Sequence, residues 1–223
     1  MPHRLHFPDP RAAADAATFA SRATRLGDGA VRLQASGGTL LMTCAPLAPR
    51  GLLDGTPTVL GLRVSAVDPE LVTDIVVDGT ALVMSEDPTA LELPDVAVSA
   101  PWAGIAPPRE GWAEATTLDA ATIAARAQWG IAAVAETVPR DAGEDAVRTV
   151  RASVWGPADA ALSDLPLGVA FAAFGLGFIG GAETVSLRTA GAWTRLTFRR
   201  GHVLVRGPVK SGLTPVRTTG ATA

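Results

Sequence analysis

Residues 165–181 read LPLGVAFAAFGLGFIGG, and residues 184–207 read TVSLRTAGAWTRLTFRRGHVLVRG. The first stretch is uncharged and rich in small and aromatic residues, which is typical of an element buried in a globular core. The second alternates apolar with polar residues between two glycine-containing turns, and this period of two predicts antiparallel strands. A core element followed by a polar, arginine-bearing sheet therefore organises the second half of the chain.

A helix and several strands are expected before this stretch. Asp9 and Pro10 fit the N-cap and first position of a helix that runs to about Leu26. Alternation in residues 31–35 and the apolar run 39–45 flank a Ser-Gly-Gly turn, which predicts a β-hairpin. Further extended runs are expected at residues 58–67, 74–84 and 91–99. The first half is thus one helix with a mainly antiparallel sheet.

The segment 101–112 is the best internal boundary, because prolines and glycines interrupt every periodic pattern there. Trp102 and Trp112 lie in it, and we expect both indoles to pack on a domain surface, since each removes a large apolar area from water. The two halves should therefore dock. The predicted division is an α+β sheet domain at 1–100, a linker at 101–112, a helical region with C-terminal strands at 113–206, and a disordered tail at 207–223.

Helical spacing dominates the second half until residue 178. The predicted helices are 117–138, which Pro139 ends, then 143–155 and 165–178. The predicted strands are 184–188, 193–199 and 202–206. The fold class is therefore α+β: an N-terminal helix with a mainly antiparallel sheet, then a helical segment that ends in a C-terminal antiparallel β-hairpin sheet.

Composition indicates a folded, soluble protein, because a hydrophobic share of 48% with 18% charged residues argues against disorder. Cys44 is the sole cysteine, which excludes an intramolecular disulfide and fits a reducing compartment. The N-terminal sequence lacks the continuous apolar run of an export signal, so we expect a cytoplasmic protein. The uncharged run 165–182 contains five glycines and Pro166, which favours a buried helix over a membrane span.

Charge divides unevenly along the chain. Residues 1–116 contain eight arginines against fourteen acids, a net charge of −6, whereas residues 117–223 carry a net charge of +3. This split suggests an anionic partner for the C-terminal end or head-to-tail association between copies.

One glycine motif resembles a nucleotide-binding signature. Residues 175–180 match G-x-G-x-x-G, but the pattern binds a pyrophosphate only where a strand precedes it and a helix follows. Residues 183–188 are strand-like instead. We therefore expect a helix-to-strand junction and no cofactor.

Catalytic and metal sites are not indicated either. Cys44 lacks a nearby base, and His3, His6 and His202 do not occur at metal-ligand spacing with other ligating residues. The acidic pairs 86–87 and 144–145 lie in polar surroundings that favour solvated loop charges over acid–base work. The sequence thus favours a protein without enzymatic activity. An enzyme or small-ligand binder, with a pocket near Trp102 and Trp112, remains open.

The C-terminal strands provide the candidate binding surface. If the apolar residues of these strands face the core, alternation directs arginines and hydroxyl groups to the opposite face. Guanidinium groups bind carboxylates and phosphates through two parallel donors. The predicted anion- or partner-binding residues are Arg188, Arg195, Arg199, Arg200, His202 and Arg206.

Two functions compete for this surface. The first is a protein-interaction or self-association module in which the arginine face meets an acidic protein surface. The second is a nucleic-acid-binding protein that contacts phosphates through the arginine-tipped hairpin, because three helices followed by such a hairpin is the element order of winged-helix domains. The predicted helix 165–178 has no side chain suited to reading bases, so such binding would be weak and sequence-independent.

Overall fold

The computed structural model describes residues 3–51 and 53–207. The helices are α1 (Pro10–Ala23), α2 (Ala120–Thr137), α3 (Glu144–Trp155) and α4 (Gly168–Gly175). The strands are β1 (His3–His6), β2 (Ala30–Ser36), β3 (Thr39–Leu47), β4 (Thr58–Ala66), β5 (Thr73–Asp78), β6 (Ala90–Leu93), β7 (Ala113–Asp119), β8 (Ala158–Asp159), β9 (Leu165–Pro166), β10 (Thr184–Ala190), β11 (Trp193–Phe198) and β12 (Gly201–Arg206). Apart from Gly207, the predicted tail lies outside the described residues.

One antiparallel sheet of eight strands runs through both halves of the chain. Its strand order is β5-β2-β3-β4-β12-β11-β10-β7. The junction is the pairing of β4 with β12, in which His202 lies opposite Leu62 and Arg206 opposite Thr58. The predicted α+β fold is confirmed, and the two sheets expected from the sequence are one continuous sheet.

The strands on the two sides of this junction are arranged in the same way. The meander β2-β3-β4 follows α1 in the chain, and the meander β10-β11-β12 follows α4. An outer strand completes each side, β5 beside β2 and β7 beside β10. Two short antiparallel pairs, β1 with β6 and β8 with β9, lie outside the main sheet.

The helices cover one face of the sheet, which we call the inner face. Alternate strand residues such as Leu33, Met42 and Val203 point into this core and are fully buried. Helix α1 meets them with buried alanines and Phe19, whose ring stacks on Phe178 at a centroid distance of 6.3 Å. Among the described residues, no helix combines the length and apolar character needed to cross a bilayer.

Helix α4 is shorter than the sequence pattern predicts. It ends at Gly175, and Gly177 adopts a φ of +71°, a left-handed conformation that stops an α-helix. The chain then turns Phe178 into the core, where it is 1% exposed. The expected extended run 74–84 also stops early, because the Asp78 carboxylate accepts a hydrogen bond from the Thr80 amide at 2.8 Å and caps a 3₁₀ turn.

Strand β7 was not predicted; the sequence pattern assigned its residues to the start of the second half and of the 117–138 helix. Residues Thr116 and Thr117 are β-branched and pair with β10, which extends the sheet by one strand. Asp119 then accepts a hydrogen bond from the Ala121 amide at 3.2 Å, so α2 begins only at Ala120.

Candidate functional site

The linker crosses the outer face of the sheet, opposite the helices. Trp102 is 4% exposed there, and its indole Nε1 donates a hydrogen bond to Asp28 Oδ2 at 2.9 Å. Arg32 Nη1 donates to the Ala103 carbonyl oxygen at 2.7 Å. Trp112 is half-buried on the same face. Both indoles thus pack on the domain surface, as the sequence predicts, and the linker is fixed rather than free.

Two arginines lie side by side on this outer face. Arg188 of β10 is directly opposite Arg195 of β11, and we call them the arginine pair. Arg188 Nη2 donates to Glu114 Oε1 at 2.9 Å. The Arg195 guanidinium carbon lies 4.6 Å from the centroid of the Trp112 ring, which is a cation–π contact. The Nε atoms of both arginines are buried and have no hydrogen-bond partner among the described residues.

The electrostatics of the pair are unfavourable in isolation. Burial, together with the charge of Arg188, lowers the pKa of Arg195. The guanidinium nevertheless stays protonated at neutral pH, because the ordinary pKa of an arginine is far above neutral pH. Like charges directly opposite on neighbouring strands destabilise a sheet. The pair therefore concentrates positive charge that the described residues neutralise only on the Glu114 side.

His202 lies next to the arginine pair. Its Nδ1 is 3.2 Å from Thr197 Oγ1, the residue opposite it on β11. Burial, and secondarily the charge of Arg195, lowers the pKa of His202 from its ordinary 6.5. The imidazole is therefore neutral at pH 7. With Ser186, which is opposite Thr197 on β10, these side chains form a row of hydrogen-bonding groups beside the arginines.

Arg199 and Arg200 occupy the turn between β11 and β12, at one end of the sheet. The Arg199 amide donates to Glu183 Oε2 at 3.0 Å, and the Arg200 carbonyl accepts a hydrogen bond from the Arg63 guanidinium, which also pairs with Asp15. Both residues are exposed. Their backbone is tied to the fold, and the Arg200 side chain lies against Gly180.

Arg206 lies at the other end of β12. It is four residues from His202, or about 13 Å along the strand at ~3.3 Å per residue. The structure therefore brings Arg188, Arg195 and His202 together and places Arg199 and Arg200 at the turn. Arg206 is opposite Trp193 and lies two residues from Leu204, the residue opposite Arg195, so it is as near to Arg195 along the strand as His202 is. No sequence pattern predicts the contacts that organise this surface, which come from Trp112 and Glu114.

A cleft of about 470 Å³ opens beside Arg206. It lies between residues 49–51 and 53–56, the linker and the end of β12, so both halves of the chain contribute to it. Its lining combines apolar side chains with two arginines, and the lining residues are Pro49, Arg50, Gly51, Leu53, Asp54, Gly55, Thr56, Thr58, Pro101, Trp102, Ile105, Arg206 and Gly207.

The glycine motif 175–180 forms the turn from α4 towards β10, as expected, with a strand and not a helix after it. The Arg22 guanidinium packs against Gly177 and donates to the Leu176 carbonyl oxygen at 2.8 Å. This turn is thus filled by a side chain of α1.

The cysteine and the paired acidic residues are held by packing, local hydrogen bonds or ion pairs. Cys44 is 1% exposed, and burial raises the pKa of its thiol well above the ordinary range. Asp87 accepts hydrogen bonds from the Thr89 amide and hydroxyl, and Asp145 pairs with Arg148 at 2.9 Å. Within residues 3–51 and 53–207, no three His, Cys, Asp or Glu side chains cluster as metal ligands would.

Several solved structures resemble the fold of this chain. The DNA polymerase sliding clamp from Caulobacter crescentus aligns with a TM-score of 0.46 and 13% identity, over 98% of this chain and 69% of the clamp. A putative DNA polymerase III beta subunit from Eubacterium rectale aligns with a TM-score of 0.49 and 7% identity, over 92% of this chain and 64% of that one. The sliding clamp from Bacillus subtilis gives a TM-score of 0.42 and 12% identity, over 94% and 65% of the two chains.

The sequence itself matches no curated protein. Two family models match consecutive parts of it. Residues 1–104 match the family described as domain of unknown function DUF8010, and residues 107–210 match the family described as domain of unknown function DUF8185. The two matches meet within the linker, between Trp102 and Trp112.

Proposed function

We propose that this chain is a protein-interaction module that binds an acidic protein surface through the arginine pair on the outer face of its sheet. The observation that carries the proposal is the pairing of Arg188 with Arg195, two like charges opposite each other with buried, unpartnered Nε atoms among the described residues. The division of the chain into two domains at the linker also remains a prediction.

The energetics of the pair support an anionic partner. A buried N–H donor without an acceptor costs about 1–3 kcal/mol, and like charges at facing positions of a sheet add to this. A carboxylate placed over the pair relieves the second cost, because it neutralises the charge and accepts hydrogen bonds from the guanidinium groups. The free protein thus holds a surface whose like-charge repulsion an acidic partner removes.

The surface is also preorganised. Trp112 holds the Arg195 guanidinium against its ring, and Glu114 holds Arg188 at 2.9 Å. Thr197 and the neutral His202 lie next to them and offer hydrogen bonds of lower charge. A partner carboxylate therefore meets side chains that are already positioned, which reduces the entropy lost on binding.

A second copy of the chain is one acidic partner of this kind. The first 116 residues carry a net charge of −6, and Asp74 and Asp78 lie exposed on β5, at the edge of the sheet opposite to β7. The partner is thus either a second copy or another acidic protein, and the two are distinguished by the oligomeric state.

The test measures binding of poly-L-glutamate and of a labelled 20-base-pair DNA duplex at 50 and 300 mM NaCl. We expect poly-L-glutamate to bind at low salt, and the double variant Arg188→Gln, Arg195→Gln to bind at least tenfold more weakly. Arg140→Gln, at an exposed position beyond α2, is the matched control and should bind normally.

Analytical ultracentrifugation compares the oligomeric states of the wild type and the double variant at low salt. A dimer of the wild type that is lost in the variant would identify a second copy as the partner. Tighter binding of DNA than of poly-L-glutamate through the same arginines would overturn the proposal in favour of a nucleic-acid partner. If the variant and the wild type bound both ligands equally well, the arginine pair would have no role in binding.

A further inference from the structure

The cleft beside Arg206 has the size and chemistry of a small-molecule site. We propose that it binds a small ligand with an anionic group, a carboxylate or a phosphate, attached to an apolar body. Its volume of about 470 Å³ falls within the range of about 300–1,000 Å³ that is usual for ligand pockets. Neither Arg188 nor Arg195 lines this cleft, so the inference does not depend on the proposed function.

The apolar part of the cleft comes from the linker and the facing loop. Ile105 and Trp102 line one side, and Leu53 lies fully exposed at the other. Trp102 is held in place by its hydrogen bond to Asp28 at 2.9 Å, so the wall is rigid. Trp102 is already buried, so an apolar ligand body gains by covering Leu53 and Ile105, since burial of apolar surface contributes about 25 cal/mol per Å².

Two arginines from opposite halves of the chain supply the charge. Arg206 leaves the end of β12 beside Thr58, the one polar residue that is fully buried among those the structure describes. Arg206 makes no ion pair with any described residue. Arg50 lies 3.5 Å from Asp145, an acid that is 94% exposed and closer to Arg148, so this contact is weak. Both guanidinium groups are therefore available to a ligand.

Asp54 is the one acidic residue that lines the cleft, and its carboxylate is occupied by its own loop. Oδ2 accepts a hydrogen bond from the Arg50 amide, and Oδ1 accepts one from the Thr56 amide, both at 2.9 Å. Hydrogen bonds from Thr56 and then from Arg50 lower the pKa of Asp54. Asp54 thus shapes the loop that carries Arg50, and its negative charge interacts with that arginine, whereas Arg206 has no acidic partner among the described residues.

The experiment compares two fluorescent probes with the full chain. One is 8-anilinonaphthalene-1-sulfonate, and the other is N-phenyl-1-naphthylamine, which has the same aromatic body without the anionic group. We expect the sulfonate to bind at one site and at least tenfold more tightly than the amine, because charge-assisted hydrogen bonds contribute about 1.5–3 kcal/mol. Arg206→Gln and Arg50→Gln should each weaken binding of the sulfonate severalfold and leave binding of the amine unchanged.

Two controls keep the result interpretable. Arg206→Lys retains the charge and should retain most of the affinity, whereas Arg140→Gln lies outside the cleft and should have no effect. Unfolding curves show whether each variant is folded before it is titrated. Equal affinity for the two probes, or binding of the sulfonate that both Gln substitutions leave intact, would overturn the proposal.

Discussion

Gly130 of α2 lies directly against the indole of Trp155 on α3. A Cβ built at position 130 would be 2.2 Å from Cζ3 of that ring, well inside van der Waals contact. Trp155 is 2% exposed and stacks on Phe171 at a centroid distance of 4.5 Å, so it has no space into which to move. The absence of a side chain at position 130 thus sets how closely these two helices approach.

Gly130→Ala should therefore destabilise the protein. Overpacking a rigid core costs about 1–3 kcal/mol or more, and it exceeds the gain of about 1 kcal/mol in helix propensity. We expect a lower free energy of unfolding in urea. Ala132→Gly, at an exposed position of the same helix, measures the propensity effect alone. A Gly130→Ala variant as stable as the wild type would contradict the close packing of α2 on Trp155.

Glu114→Gln tests how the arginine pair is neutralised. Glu114 is the acid that pairs with Arg188, and its side chain is 83% exposed. The substitution removes the negative charge that offsets Arg188, so the full positive charge of both arginines is available to a partner. We therefore expect severalfold tighter binding of poly-L-glutamate at low salt. The stability of the fold should change little, since an exposed ion pair contributes about 0–1 kcal/mol. Weaker binding by this variant would show that Glu114 helps to form the binding surface.

His202 should make stability depend on pH. Its pKa is lower in the folded protein than the ordinary 6.5, so below that pH the unfolded chain binds more protons than the native one. The contribution is fully present above about pH 6.5 and is lost as the pH falls towards the folded pKa. We expect the difference in unfolding free energy between wild type and His202→Gln to shift against the wild type between pH 7.5 and pH 5.

NMR titration of the imidazole gives an independent check. Arg195→Gln removes a nearby positive charge and should raise the pKa of His202, whereas Arg140→Gln should not. An unchanged pKa in the Arg195 variant would mean that His202 does not sense the arginine pair.

Arg32 should control the attachment of the linker. Its guanidinium donates to both Asp74 carboxylate oxygens at 2.8 Å and to the Ala103 carbonyl at 2.7 Å. We expect Arg32→Met to lose about 2 kcal/mol of stability and to speed tryptic cleavage after Arg109, an exposed residue of the linker. Asp74→Asn keeps the hydrogen bond from Arg32 to Ala103, so it should be cleaved more slowly than Arg32→Met. Equal cleavage of all three proteins would exclude Arg32 as the anchor.

Cys44 should react with Ellman's reagent only when the protein unfolds. The thiol is buried in β3 on the inner face of the sheet, and burial raises its pKa, so neither access nor thiolate is available in the native state. We expect slow modification at pH 8 that accelerates through the urea transition. Rapid, complete reaction of the folded protein would contradict this packing.

Local patterns predicted the C-terminal strands to within two residues at each end. The alternation of apolar and polar residues and the glycines at positions 191 and 201 are short-range signals, so they can be recognised in the sequence alone. The same alternation predicted that Arg188 and Arg195 lie on the face opposite the core. These parts of the fold depend on residues that are neighbours in the chain.

The features that the sequence did not reveal depend on distant residues. Strand β7 lies at the edge of the sheet and six of its seven residues are exposed, so it has no buried face to produce an alternating pattern. The stacking of Trp112 on Arg195 joins the linker to β11, and the pairing of β4 with β12 joins the two halves. Periodicity within one segment carries no information about which other segment it meets.

The pairing of β4 with β12 has a consequence for synthesis of the protein on the ribosome. In the first half, β4 pairs with β3 on one side only, and the backbone donors and acceptors on its other side stay unpaired until Arg206, the last residue of β12, has left the exit tunnel. At about 5–20 residues per second, the 134 residues between the two strands (67–200) take roughly 7–27 seconds to translate. During that interval the nascent chain presents an open strand to its neighbours on the same polysome, so pairing between nascent chains competes with completion of each fold.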